Sequence, residues 1–117
     1  MRLTPLLTLA KPSQFRAVRE ANLSWHTPHF ILSTKKRDDA AHSLGLILTK
    51  KIGGAVIRNR IKRKLRVIAR ETLPTQALPG DYVFIGKAAC LDAGPETLKK
   101  DVLWALKRLS CLASSLE

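Results

Sequence analysis

Between Lys50 and Arg70 the chain carries nine basic residues, Lys50, Lys51, Arg58, Arg60, Lys62, Arg63, Lys64, Arg66 and Arg70, and no acidic one. Side chains of this type bind phosphates: a guanidinium can grip one bidentately or stack on a base, while an ammonium supplies point charge. Asn59, inside the run, adds an amide that both donates and accepts, suited to a base edge or a ribose hydroxyl. Gly53-Gly54 just before it permits close backbone approach, and the free N–H groups of a following helix offer another phosphate site. A solvated helix face normally mixes charge signs, so an all-positive run of this length points to a polyanion.

The residues that would make a protein catalyst are not grouped. A nucleophile, an acid/base pair or a metal cage needs placed side chains, whereas the carboxylates are scattered and Asp38-Asp39 falls in a polar connection. His26 and His29 are separated by two residues, but Pro28 between them opposes the helix that would converge both rings on a metal. Gly53-Gly54 lacks the Gly-Lys-Ser/Thr ending of a nucleotide-binding loop. Cys90 and Cys111 fit neither a disulfide framework nor a zinc site, and read as reduced thiols. No catalytic residue and no metal ligand is assigned.

The basic run needs an element to carry it. Ala55 to Glu71 has the helical period, ending before Pro74, and Ile57, Ile61, Leu65 and Ile68 fall within about 80° of one another as a stripe that can be buried. Arg58, Lys62 and Arg66 follow at a spacing of four, Arg63 and Arg70 lie further round, and Arg60 flanks the stripe from the other side. Such a helix can touch phosphates in two directions. Before it, Pro12 to Glu20 suits a short helix, and Phe30 to Thr34 and Leu44 to Thr49 read as strands, expected to pair antiparallel through a flexible hairpin connection at Lys35 to Ser43. After it, Pro79-Gly80-Asp81 is a turn, Tyr82 to Ile85 a third strand, and Gly94-Pro95-Glu96 opens a last helix with the stripe Leu98, Val102, Ala105, Leu106 and Leu109. The order is α-β-β-α-β-α, with residues 1–10 expected to be a flexible N-terminal segment.

The totals agree. A chain of 117 residues is one domain with one core, and 45% hydrophobic with 26% charged residues is the balance of a folded protein. Lys+Arg number 21 against 9 Asp+Glu, a net charge of +12, which repels itself unless a polyanion screens it. Leu3 to Ala10 is interrupted by Pro5 and lacks a cleavage site, and no run approaches the roughly twenty apolar residues that span a bilayer. The expectation is a cytoplasmic protein without a membrane partner.

The stretch Arg58-Asn59-Arg60-Ile61-Lys62-Arg63-Lys64-Leu65-Arg66, preceded by Gly45 to Val56 with its lysine pair, resembles the signature of the bacterial ribonuclease P protein family. The resemblance extends from Pro12-Ser13-Gln14-Phe15 through Phe30-Ile31-Leu32 to Asp81 to Ile85 and the final helix. It implies an α+β fold, a two-layer sandwich on a small mixed sheet with a left-handed βαβ crossover, of the ribosomal-protein-like RNA-binding kind. It also implies that the chemistry belongs to a partner: a large catalytic RNA that, with Mg²⁺ bound mainly by the RNA, hydrolyses a phosphodiester of precursor tRNA and releases the 5′ leader. No organic cofactor and no protein partner are implied. Carried onto this sequence, Arg58, Asn59, Arg60, Lys62, Arg63, Lys64, Arg66, Arg70, Lys50 and Lys51 match RNA-binding positions. Phe15, Arg19, Ser33 and Lys87 match a leader-binding cleft between the first helix and the sheet, where an exposed ring would stack on a base. Arg19 stands where relatives often have a second aromatic, Ser33 where a tyrosine is common and Gly54 where asparagine is frequent.

Two other classes compete. A structural RNA binder of ribosomal type, or a nonspecific DNA binder, explains charge and size equally well, but has no need of Phe15, Gly53-Gly54 and Arg58-Asn59-Arg60 together. A membrane-surface binder would set bulky aromatics opposite the cations, and here that stripe is Ile and Leu.

Overall fold

The computed structural model describes residues 6–9, 11–21, 23–36, 42–76 and 80–115. In chain order these form β1 (Leu6–Thr8), α1 (Pro12–Ala21), β2 (Leu23–His26), β3 (Phe30–Lys36), β4 (His42–Ile47), α2 (Ala55–Gln76), β5 (Gly80–Gly86) and α3 (Pro95–Ser115). The strands make one mixed sheet in the order β1-β4-β5-β3-β2. The α+β class is as expected.

The strand pairing is not. β3 and β4 do not form an antiparallel hairpin: β5 lies between them, antiparallel to β3 and parallel to β4. The reason is burial. Tyr82, Val83 and Phe84 are all buried, so β5 is apolar on both faces and belongs at the centre of a sheet. The Phe84 ring lies against Phe30 of β3 with centroids 5.2 Å apart. Two edge strands were also missed. Leu6–Thr8, expected to be flexible, pairs parallel to β4 from Leu6↔His42 to Thr8↔Leu44, and Leu23–His26 pairs antiparallel to β3. Asp38 and Asp39 lie outside the described residues.

Side chains alternate between two faces. One carries Phe30, Leu32, Leu44, Tyr82 and Phe84 and meets Ile61, Leu65, Leu98, Val102 and their neighbours from α2 and α3. This is the main core. On the other face Val83 packs with Leu9 and with Val18 of α1, and half-buried Phe15, Ile47 and Ile85 close around them.

α2 runs past the end predicted for it. Pro74 costs the helix its hydrogen bond to the Arg70 carbonyl, yet the last turn continues to Gln76. Thr72 and Leu73, both buried, hold this end against the sheet, and the Thr72 hydroxyl donates to the Ile68 carbonyl at 2.8 Å. Among the described residues no helix is long and apolar enough to cross a membrane.

Candidate nucleic-acid interface

β4 delivers the chain to α2 through a short 3-10 turn, Lys50–Ile52, in which Lys50 and Lys51 are exposed. Gly53 then takes φ 157°, a region L side chains rarely adopt, so glycine is required where the chain turns into the helix. Ile61, Leu65 and Ile68 go into the core, which fixes the rotation of α2 and divides its cations between two flanks.

On one flank Lys62, Arg66 and Arg70 line a cavity of about 190 Å³ whose opposite wall is Phe15, with Leu9, Leu44 and Leu46 between. The hollow sits where β1 has ended, beside the strand β4. Phe15 is held there by Gly45: a Cβ at that position would come within 2.5 Å of the ring's Cε1. The ring is half-buried, one part packed with Val18 and Val83 and another facing the cavity. It also borders a shallow hollow shared with Pro12, Arg16 and Arg19. Arg16 was missed by the sequence reading, although it follows Phe15 directly.

On the other flank Arg60, Arg63 and Lys64 border an apolar crevice formed with Val67, Ile68, Pro95 and Leu98 at the start of α3. The basic helix therefore has a hollow on each side. Asn59, Arg60, Arg63, Arg66 and Arg70 are exposed, while Arg58 and Lys62 are half-buried. The Arg58 Nε is buried with no hydrogen-bond partner.

Three predicted residues are placed differently. The Lys64 ammonium donates to the Leu91 carbonyl and, at 3.2 Å, to the Ala93 carbonyl, so it ties the loop before α3 to α2 instead of facing solvent. Ser33 is buried, its hydroxyl 2.9 Å from that of Ser24 across the β2–β3 pair, and lines none of these hollows. The Lys87 ammonium donates to the Thr27 carbonyl at 2.9 Å and its backbone N–H to the His29 carbonyl, which fixes the turn between β2 and β3. Of the four expected cleft residues, the structure brings Phe15 and Arg19 together.

His26 and His29 do not converge. His29 Nδ1 lies 2.5 Å from Asp101 Oδ2 on α3, while His26 is exposed at the end of β2. Among the described residues no three His, Cys, Asp or Glu side chains are grouped so that they could hold a metal ion. Cys90, in the loop that Lys64 anchors, is buried. Burial pushes its thiol up to about 11, an effect the nearby Lys64 charge opposes. Burial likewise pushes the Tyr82 phenol up to about 12, against a hydrogen bond with Thr34.

The family model described as Ribonuclease P matches residues 3–110. The ribonuclease P protein component of Chloroflexus aurantiacus is 33% identical over 104 residues, covering 89% of this chain and 77% of that one. That of Paramagnetospirillum magneticum is 36% identical over 110 residues, covering 89% and 83%. Among solved structures, the RNase P protein from Thermotoga maritima superposes with a TM-score of 0.76 at 24% identity, over 86% of this chain and 96% of that one.

Proposed function

Since the chain belongs to the ribonuclease P protein family and so serves tRNA processing as an RNA-binding subunit, we propose that its partner is a large catalytic RNA which itself removes the 5′ leader from precursor tRNA. In this reading the protein contributes no reacting group. Its part is to neutralise phosphates where two RNAs converge and to hold the leader, while Mg²⁺, bound mainly by the RNA, supplies the metal-ion chemistry of phosphodiester hydrolysis. The compartment is the cytoplasm, where precursor tRNA is made and cut.

The observation that carries the reading is the pairing of Phe15 with Lys62, Arg66 and Arg70 across one cavity. An aromatic wall facing a cationic wall suits a single strand, whose bases stack on one side while its backbone is neutralised on the other. Arg16 and Arg19 extend the cationic surface beyond Phe15. The second flank, with Arg60 and Arg63, is left for the catalytic RNA, so α2 stands between partner and substrate. Lys50 and Lys51 extend the positive surface from the N-terminal end of α2. The Lys64 ammonium, Ser33 and Lys87 are spent on internal bonds and support the interface from within the fold.

Cations at this density replace part of the counter-ion atmosphere that the RNA would otherwise draw from Mg²⁺. Purified chain added to a bacterial ribonuclease P RNA is therefore expected to restore precursor tRNA cleavage at a Mg²⁺ concentration too low for the RNA alone. It should also tighten binding of substrates that carry a leader over those that lack one. An unchanged cleavage rate at low Mg²⁺ would refute the assignment.

A further inference from the structure

α3 buries Leu98, Val102, Ala105, Leu106 and Leu109 and leaves a face that the core does not use. At 100° per residue, Lys100, Trp104, Lys107, Arg108 and Cys111 fall within an arc of about 100° on that face, and all five are exposed. Trp104 retains 48% of its surface, more than the packing of α3 explains. The Arg108 guanidinium lies 4.5 Å from the Trp104 ring and 5.7 Å from that of Trp25 on β2, and the Lys107 ammonium is 5.8 Å from Trp104. Trp25 is half-buried against the main core and so anchors the group. Among the described residues no carboxylate pairs with Arg108.

We propose that this Trp25-Arg108-Trp104 group is a second, separate contact for single-stranded RNA, in which an unpaired base stacks on Trp104 and the neighbouring phosphates meet Lys100, Lys107 and Arg108. A guanidinium whose face is on an indole keeps its N–H edge for a phosphate, and an indole accepts any base because every base has a π-face. The charge selects the occupant. Three cations on this face, two of them against the ring, repel a second copy of this chain and attract a polyanion. The site lies at the β2 edge of the sheet, whereas the Phe15 cavity lies at the β1-β4 edge, so a strand held in one does not occupy the other.

Trp25 and Trp104 are the chain's two tryptophans, so a full-length Trp25→Phe variant reports on Trp104 alone. Titration of this variant with a single-stranded oligoadenylate is expected to quench its emission. In the otherwise unchanged chain, Trp104→Ala should weaken oligoadenylate binding by roughly fivefold or more, with Trp104→Phe restoring most of the loss. Because Trp104 is exposed, its replacement leaves the core intact and the affinity measurement stands even where Trp25→Phe folds poorly. Emission that stays constant while the oligonucleotide is bound would overturn the proposal, as would equal quenching by polyglutamate, which would assign the face to an acidic protein. Unaltered oligoadenylate affinity in Trp104→Ala overturns it too, and leaves the α2 interface untouched. Loss of cleavage support in an Arg66→Ala chain whose Trp104 still quenches bears on that interface alone.

Discussion

Lys64 and Arg66 stand two residues apart in the same basic run, yet their side chains have opposite tasks. Arg66 faces the Phe15 cavity, whereas Lys64 satisfies the carbonyls of Leu91 and Ala93. Lys64→Ala leaves both carbonyls without that donor, and a loss of about 1–3 kcal/mol in stability is expected from urea unfolding. The affinity of the folded fraction for the catalytic RNA should stay near the parent value. A stable variant with weakened RNA binding would return Lys64 to the interface. Cys90 and Tyr82 make a different prediction. Both are held neutral by burial, from 9.0 to about 11 and from 10.0 to about 12. The unfolded chain therefore gives up these protons first, and the stabilisation is complete below pH 9 and lost as pH rises through 11 and then 12. The urea midpoint should fall above pH 9, by about 1–3 kcal/mol per group. Cys90→Ala should delay the onset towards pH 10, where Tyr82 begins. An onset that does not move would remove Cys90 from the account.

At the scale of elements, α2 separates its cations by rotation alone, and this much was legible in advance. The buried stripe Ile57-Ile61-Leu65-Ile68 sets the angle, and the wheel then assigns Lys62 and Arg66 to one side and Arg60 to the other. What lies opposite each flank was not legible, because it depends on which strands neighbour which. Periodicity marks Tyr82 to Ile85 as a strand, but only the long-range packing of Phe84 on Phe30 inserts it between β3 and β4. Three-residue β1 is too short for a pattern, and Gly45 reads as a weak strand residue until the Phe15 ring is found resting on it. The internal bonds of Ser33 and Lys87 were not legible for a related reason: residue type does not reveal that a hydroxyl or an ammonium is already bonded within the fold. The two flanks should act independently. Arg60→Ala is expected to weaken assembly with the catalytic RNA and to reduce the salt slope by about one unit, without altering the preference for leader-bearing substrate. Arg66→Ala should reduce that preference more than it reduces assembly. Their effects on free energy should add within about 0.5 kcal/mol, and a larger coupling would mean that one RNA segment spans both sides.

For the whole molecule the governing quantity is the net charge of +12, carried by 21 Lys and Arg against 9 Asp and Glu. Nine of those cations fall between Lys50 and Arg70, seven of them on α2 and two on the turn before it, so the folded chain holds like charges close together. Folding concentrates this charge and is opposed by it, whereas assembly with RNA relieves it. Salt must therefore act in opposite directions on the two processes. Raising KCl from about 0.05 to about 0.5 M shortens the screening length from roughly 14 to roughly 4 Å. It should raise the melting temperature of the free chain by roughly 4 °C for each 1 kcal/mol of repulsion removed. Over the same range the affinity for the catalytic RNA should fall by about three orders of magnitude or more, as counter-ion release loses its advantage. The RNA-bound chain, whose charge is already neutralised, should lose thermal stability as salt dissociates it and approach the free value from above. Two melting curves that converge with salt from opposite sides are the expected signature. A free chain whose melting temperature falls with KCl would show that its surface charges are already compensated within the fold, and that RNA is not what screens them.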